Sequence, residues 1–477
     1  MQSANNERLI VHIKRLVWLY LVLLIFEGTL RKWVLPQYSD VLLVIRDPVV
    51  LAIYFLALKA RVFPRNAYIL SLGIIAILCW LAAILVLSPY LNVKPMILVT
   101  GYGFRSNFLH LPLIFILGKI LTVEEVKNFG RWILLGLIPM AVLLAIQFNS
   151  APDAFINRTA GLGDTQQITA GGGKIRPPGT FSFVSGVIFY SALAAAYLLY
   201  GAVTRGVYRN WLLYSAGFAL VLTIGVSGSR SVLLAVLVVI SSMAVIIFVR
   251  PSAINRFGRN LLIVVLAVYV ASRLPVFNEG VQVLSDRFTD TAEADQKAIA
   301  AGLMERLLGG FTEGLRFLPH APIGGYGLGI GTNGGAKFLT GRTIFLLTEG
   351  EWGRIVLESG PVLGLAFLVW RTVLTGYLGL ISFRQLKRGE ILPIMLFCAG
   401  FVSLLNGQFG QPTNLGFAVF VCGLCLAAAN TKTTELESEP PAPTGPPLRR
   451  MARRSSYAER LHGARALHRK HDDFVDR

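Results

Sequence analysis

The sequence predicts an all-α fold: a polytopic transmembrane helical bundle of about twelve spans, with a large extracytoplasmic loop between spans nine and ten. Three observations predict it. Of the 477 residues, 54% are hydrophobic and only 15% are charged, against about 25% charged in soluble domains. Several apolar runs reach the roughly 20 residues that cross a bilayer. The basic residues gather in short loops on alternate sides of those runs, the positive-inside pattern of membrane proteins.

Residues 1–15 are polar and basic and are expected to form a cytoplasmic N-terminus. A full-length span follows without a small-residue cleavage site, so no cleavable signal is expected. Within residues 16–277 the predicted spans are Leu16–Leu35, Val41–Leu58, Ala67–Leu87, Met96–Leu117, Trp132–Phe148, Phe181–Tyr200, Asn210–Val226, Ser231–Val249 and Asn260–Phe277. Within residues 354–429 they are Arg354–Ile381, Ile391–Leu405 and Asn414–Ala429. With the N-terminus in the cytoplasm, the inner loops carry Lys59, Arg61 and Arg65; Lys119, Lys127 and Arg131; Arg205 and Arg209; Arg250, Arg256 and Arg259; and Arg384, Lys387 and Arg388. The short outer turns Gln37–Asp40 and Gly407–Pro412 carry no basic residue. Both termini then lie in the cytoplasm.

Two outer segments are long, and long loops in compact proteins are usually functional. One is 149–180, containing "TAGGGKIRPPGT". The other is 278–353, where Thr289 or Thr291 is expected to cap an amphipathic helix over "AEADQKAIAAGLMERLLGGF", ahead of the glycine-rich "PIGGYGLGIGTNGG". The tail, 430–477, is proline-rich and then basic, and is expected to be disordered. Ala458–Lys470 reads either as a basic helix on anionic lipid or as plain solvated tail.

The formal charge of +19 suggests nucleic acid at first sight, but its placement in membrane-flanking loops argues against that partner. Cys79, Cys398, Cys422 and Cys425 all sit in apolar runs and read as packing residues. "GGGK" at Gly171–Lys174 is no P-loop, because Ile175 stands where a hydroxyl would hold magnesium. "GYGLGIG" at Gly325–Gly331 lacks the strand and helix of a dinucleotide site. No cofactor or metal is expected.

The charges near the outer face are more telling. "FEGTLRKWVLP" places Glu27, Arg31 and Lys32 late in span one, and Arg46 and Asp47 open span two. Span four holds Arg105 and His110, "SGSRS" puts Arg230 in a tight turn, and Arg354 and Glu358 begin span ten. A charge inside a membrane costs several kcal/mol unless paired or hydrated. Charges gathered at one depth on one side therefore suggest a wet polar cavity open to the outside. Arg31, Lys32, Arg46, Arg105, Arg176, Arg230 and Arg354 are its candidate anion ligands, since the guanidinium fork suits phosphate.

At this point the chain resembles the bacterial O-antigen ligase and O-antigen polymerase superfamily. "SGSRSVLL" is similar to that family's Ser/Arg signature opening a span. "PIGGYGLGIGTN" resembles its glycine-rich stretch, and "LESGPVLGLAFL" its glutamate-and-glycine opening of a helix. The resemblance implies a GT-C-like fold and a metal-independent membrane glycosyltransferase of the bacterial inner membrane. It implies an undecaprenyl-diphosphate-linked glycan as donor and a glycan or lipid as acceptor. Arg230, with Arg354, would stabilise the leaving diphosphate. Many ligases carry a histidine eleven residues before the glycine that Gly360 matches, and Glu349 stands in that place. Glu349 is thus the candidate general base; Glu351, His320 or no base at all are the alternatives, and a helix-capping role is the plainer one. Glu351, Glu358 and His320 are counted among the substrate-binding candidates. A multi-span transporter or flippase of a lipid-linked sugar or small solute is the alternative function.

Overall fold

Lipid offers no hydrogen bonds, so an apolar chain satisfies its backbone by forming helices. The computed structural model describes residues 2–161, 167–249, 268–292, 309–342 and 344–438. The chain divides into two units, Met1–Thr431, which holds the bundle, and Lys432–Arg477.

The elements run α1 (Gln2–Thr29), α2 (Ser39–Leu42), α3 (Asp47–Lys59), α4 (Ala67–Leu87), α5 (Val93–Phe104), α6 (Leu113–Ile120), α7 (Val123–Asn149), α8 (Val184–Val203), α9 (Asn210–Val226), α10 (Arg230–Val249), α11 (Pro275–Ala292), α12 (Asn333–Thr340), α13 (Glu351–Arg388), α14 (Leu392–Asn406) and α15 (Pro412–Ser438). The strand content among the described residues is one antiparallel hairpin, β1 (Thr169–Gly171) with β2 (Lys174–Ile175). Among the described residues, eight helices are long and apolar enough to cross a membrane, with α9 and α14 as shorter apolar companions. The protein has the architecture of a helical membrane protein. Residues 260–267 of predicted span nine lie outside the described residues, and its remainder, 268–277, is helix, a turn at 272–274 and the start of α11.

Burial sorts the helices into layers. Within α15, Pro412–Asn430 buries 89% of its apolar window, whereas α4 buries 22% of its own. So α15 is the central post, and α4 turns Leu70, Ile77 and Leu85 outward. Small residues let the post approach its neighbours, as in membrane bundles generally: Gly423 packs on Leu117 of α6, and Gly400 of α14 on Val421. Cys422 and Cys425 are buried in this seam, with Cys425 Sγ 3.2 Å from Ser382 Oγ. Thr122 and Glu125 form a capping box that starts α7. Lys14 of α1 pairs with Glu125 at 2.8 Å and ties the two helices at that end.

Four predicted features differ from the structure. Predicted span four is broken: α5 gives way to a π-helical turn, Arg105–Leu109, before α6 resumes. Predicted span two breaks between α2 and α3, beside it. Thr289 and Thr291, expected to start a helix, lie instead in the last turn of α11, which starts earlier, at Pro275. Proline suits a first helical position because its missing N–H is not needed there. The remainder of that predicted amphipathic helix, up to residue 308, lies outside the described residues, and 309–317 is helical.

Predicted span ten is bent most sharply. Gly360 has φ 79° and ψ 169°, so α13 is two limbs joined at a hinge. Arg371 lies 2.9 Å from Glu351, 20 residues earlier. A straight helix would hold those residues about 30 Å apart, so the limb before Gly360 doubles back along the limb after it. A β-carbon on Gly364 would sit 2.9 Å from the Val356 Cα, which is how closely the limbs pack. The chain therefore reaches Glu351 about 15 Å along the helix axis below the hinge tip.

Candidate functional site

The doubled-back limb carries Glu351, Arg354 and Glu358 into the bundle, and all three are buried. Arg354 donates from Nε and Nη2 to Glu351 Oε2 at 3.1 and 3.0 Å, and from Nη1 to Glu358 Oε2 at 2.7 Å. Its Nη2 also reaches Asn107 Oδ1 at 2.9 Å. Glu351 Oε1 accepts from Arg371 Nη1 and from the Phe409 backbone N–H at 3.2 Å. Arg371 is fully buried, donates to the Leu404 and Gly407 carbonyls, and lies 3.8 Å over the Phe409 ring. Two arginines and two glutamates leave this network neutral, and every charged group in it is paired. That is the condition under which buried charges persist.

The glycine-rich stretch closes over the hinge. Glu358 Oε1 accepts the Gly331 N–H at 2.8 Å, while Tyr326 and Gly327 donate to the carbonyls of Leu357 and Glu358. Side chains at Gly360 or Gly329 would strike the Ile323 and Val99 carbonyls, and both residues hold positive φ, so glycine fits where others would clash.

A second cluster sits where α1, α3 and the π turn meet. Arg46 donates from Nε to Glu27 Oε2 at 3.1 Å and from Nη2 to the Pro412 carbonyl at 2.5 Å. Arg105 donates from Nε to Asp47 Oδ2 and from Nη2 to the Leu43 carbonyl, both at 2.8 Å. That carbonyl belongs to the α2–α3 break, so the arginine satisfies a group the broken helix leaves open. His110 Nε2 lies 2.9 Å from Asp47 Oδ1, and its Nδ1 lies 3.1 Å from the Tyr20 hydroxyl. Arg31 donates to Ser39 and Ser182 and stands 3.5 Å from Glu27. Lys32, 1% exposed, donates to the Gly179 carbonyl at 2.6 Å and has no carboxylate partner among the described residues.

This second cluster is not neutral. Arg31, Lys32, Arg46 and Arg105 face Glu27 and Asp47. Arg105 Nη1 and Ser106 Oγ are buried without a hydrogen-bond partner among the described residues. An orphaned guanidinium nitrogen in a cationic setting suits an anionic oxygen. The two clusters adjoin, because one π turn supplies both Arg105 and Asn107. The 407–412 turn also accepts from Arg371 at one end and from Arg46 at the other.

The remaining predicted site residues lie at the rim. Glu349 is exposed; its carbonyl accepts from Gln408 Nε2 at 2.8 Å, and its carboxylate has no ion-pair partner among the described residues. His320 is exposed and 3.2 Å from the Arg316 carbonyl. Arg230 opens α10. Two residues earlier, Gly228 packs on Ala170 of the hairpin and lies against Arg176. Arg176 donates from Nε to the Thr169 carbonyl.

Sequence reasoning missed Arg371, Asn107 and Glu313. Arg371 was findable, since a lone arginine deep in an apolar run demands a partner. Glu313 accepts from Thr348 and fills the space beside Gly350. Neither it nor Asn107 carried any such signal. No family model matches the chain, and no curated protein matches it.

Proposed function

We propose that the protein is an inner-membrane glycosyltransferase that polymerises or ligates undecaprenyl-diphosphate-linked glycans, either O-antigen or exopolysaccharide, on the periplasmic side. The observation that carries this reading is the positive excess of the second cluster, with Arg105 Nη1 left open inside it. A diphosphate there would meet Arg31, Lys32, Arg46 and Arg105. A second support is that the two stretches resembling the ligase and polymerase superfamily interlock, through Glu358 and the Gly331 N–H.

In this reading the acceptor hydroxyl attacks the anomeric carbon from the face opposite the diphosphate. The new C–O bond forms as the bond to the diphosphate oxygen breaks, and the electron pair leaves with the diphosphate. The arginines stabilise that charge as it develops. The hydroxyl proton goes to Glu349, an exposed carboxylate with no ion-pair partner among the described residues. Glu351 is excluded from that role by its own bonds, since both oxygens already serve arginines. It positions Arg354 and Arg371 instead. Arg230 and Arg176 approach the donor from the hairpin side. The fold would be GT-C-like, with about twelve spans and both termini in the cytoplasm.

One observation favours the transporter alternative: helices broken inside the bundle, at Arg105–Leu109 and Gly360, are common in transporters. Purified protein supplied with a prenyl-diphosphate-linked oligosaccharide separates the two. Glycan transfer with release of prenyl diphosphate supports the enzyme. Translocation in vesicles without transfer supports the carrier.

A further inference from the structure

The opposite end of α7 carries a feature that the proposed chemistry does not use. Tyr208, in the α8–α9 loop, donates to the Lys127 carbonyl at 3.0 Å and pins that loop against α7. Between them lies a cavity of about 560 Å³ lined by Arg131, Tyr208, Arg209, Trp211 and Leu135. A neighbouring cavity of about 420 Å³ adds Arg205, Lys127, Asn128 and Glu124. Glu124 is taken by Lys127 at 2.6 Å. Arg131, Arg205 and Arg209 have no ion-pair partner among the described residues. Arg131 lines both cavities, Arg209 the first and Arg205 the second, so three guanidinium groups border two adjoining hollows, a setting that suits phosphate oxygens.

The hollow continues into the membrane. Leu135 and Asn128 also line an apolar groove of about 800 Å³ between α1 and α7, walled by Trp18, Phe26, Trp132 and Met140. Along α7 the groove runs from Asn128 to Leu143, about 22 Å, more than the roughly 15 Å of one hydrocarbon leaflet. Trp132 is 58% and Trp211 54% exposed beside the basic hollow, the amphipathic aromatics typical of the membrane–water boundary. A basic hollow opening into an apolar groove matches an amphiphile, with its head at the arginines and its chain in the groove.

We propose that this is a binding site for an anionic phospholipid of the leaflet opposite the Gly360 hinge. Arg131, Arg205 and Arg209 hold its phosphate, and the α1–α7 groove holds an acyl chain. The proposal does not depend on the glycosyltransferase reading.

The test uses the full chain, purified in detergent and stripped of lipid, and titrated by native mass spectrometry with phosphatidylglycerol or phosphatidylcholine. The proposal expects phosphatidylglycerol adducts at least tenfold tighter, and loss of that preference in an R131Q/R205Q/R209Q variant. A phosphatidylglycerol carrying a photoreactive group is then cross-linked to the wild type, so the result stands even if the variant misfolds. Cross-links to residues 127–135 and 205–212 support the site. Equal binding of the two lipids, full displacement by millimolar inorganic phosphate, an unchanged preference in the variant, or cross-links only elsewhere would each overturn it. Phosphate displacement would point to a free anion as the ligand.

Discussion

Glu351 and Arg371 stand 2.9 Å apart across a hinge at Gly360, although 20 residues separate them. This pair holds the doubled-back limb in place. It is also the link through which the limb grips the 407–412 turn, because Arg371 bonds the Gly407 carbonyl and Glu351 the Phe409 N–H. Removing one partner of a buried pair typically costs about 3–5 kcal/mol, because the other charge is left uncompensated. R371M and E351Q should each lower the unfolding midpoint of the purified protein sharply. The double variant should lose clearly less than the sum, and a double-mutant cycle measures that coupling.

The hinge makes a separate prediction. Gly360 combines a positive φ with a space already filled by the Ile323 carbonyl. Strain of this kind costs about 1–3 kcal/mol even before the clash. G360A should therefore reduce folded protein in the membrane and speed proteolysis of the 309–350 segment. Limited proteolysis of wild type and variant checks this.

Arg105 is asked to do more than pair with Asp47. R105K keeps one charge but loses the second terminal nitrogen and the fork geometry. Charge-assisted hydrogen bonds are worth roughly 1.5–3 kcal/mol, so glycan output should fall about ten- to a hundredfold at equal protein abundance. An output within twofold of wild type would remove Arg105 from the proposed donor site.

Glu349 and Glu351 should behave in opposite ways. E349Q changes an exposed side chain, so abundance should hold while turnover falls by about 10²–10⁴. E351Q should lose abundance first. Comparing transfer rate with membrane content for both variants separates the proposed base from the proposed positioning residue.

Much of the bundle was legible in the chain. Apolar runs of span length marked α4, α8, α9 and α10 closely, because in lipid the hydrophobic length is itself the structural rule. The α13 hinge was not legible. Proline and glycine are tolerated inside membrane helices when neighbours satisfy the freed backbone, so "ESGPVLG" read as one span. The neighbours that do this, Tyr326 and Gly327, lie more than thirty residues earlier. Arg31, Arg46, Arg105 and Arg354 stood out by the cost of a charge in lipid, yet their division into one neutral network and one cationic cluster depends on which carboxylate each meets. That pairing is set by helix packing, as when Arg46, in the α2–α3 break, reaches Glu27 on α1.

We propose above that the cationic cluster serves transfer of a lipid-linked glycan. The most direct measurement is the gel profile of surface glycans from cells lacking this gene, complemented with the wild type or R105K. The account predicts that deletion leaves either single repeat units or long chains stranded on the carrier lipid, that the wild type restores the normal profile, and that R105K does not. An intact profile after deletion would contradict it.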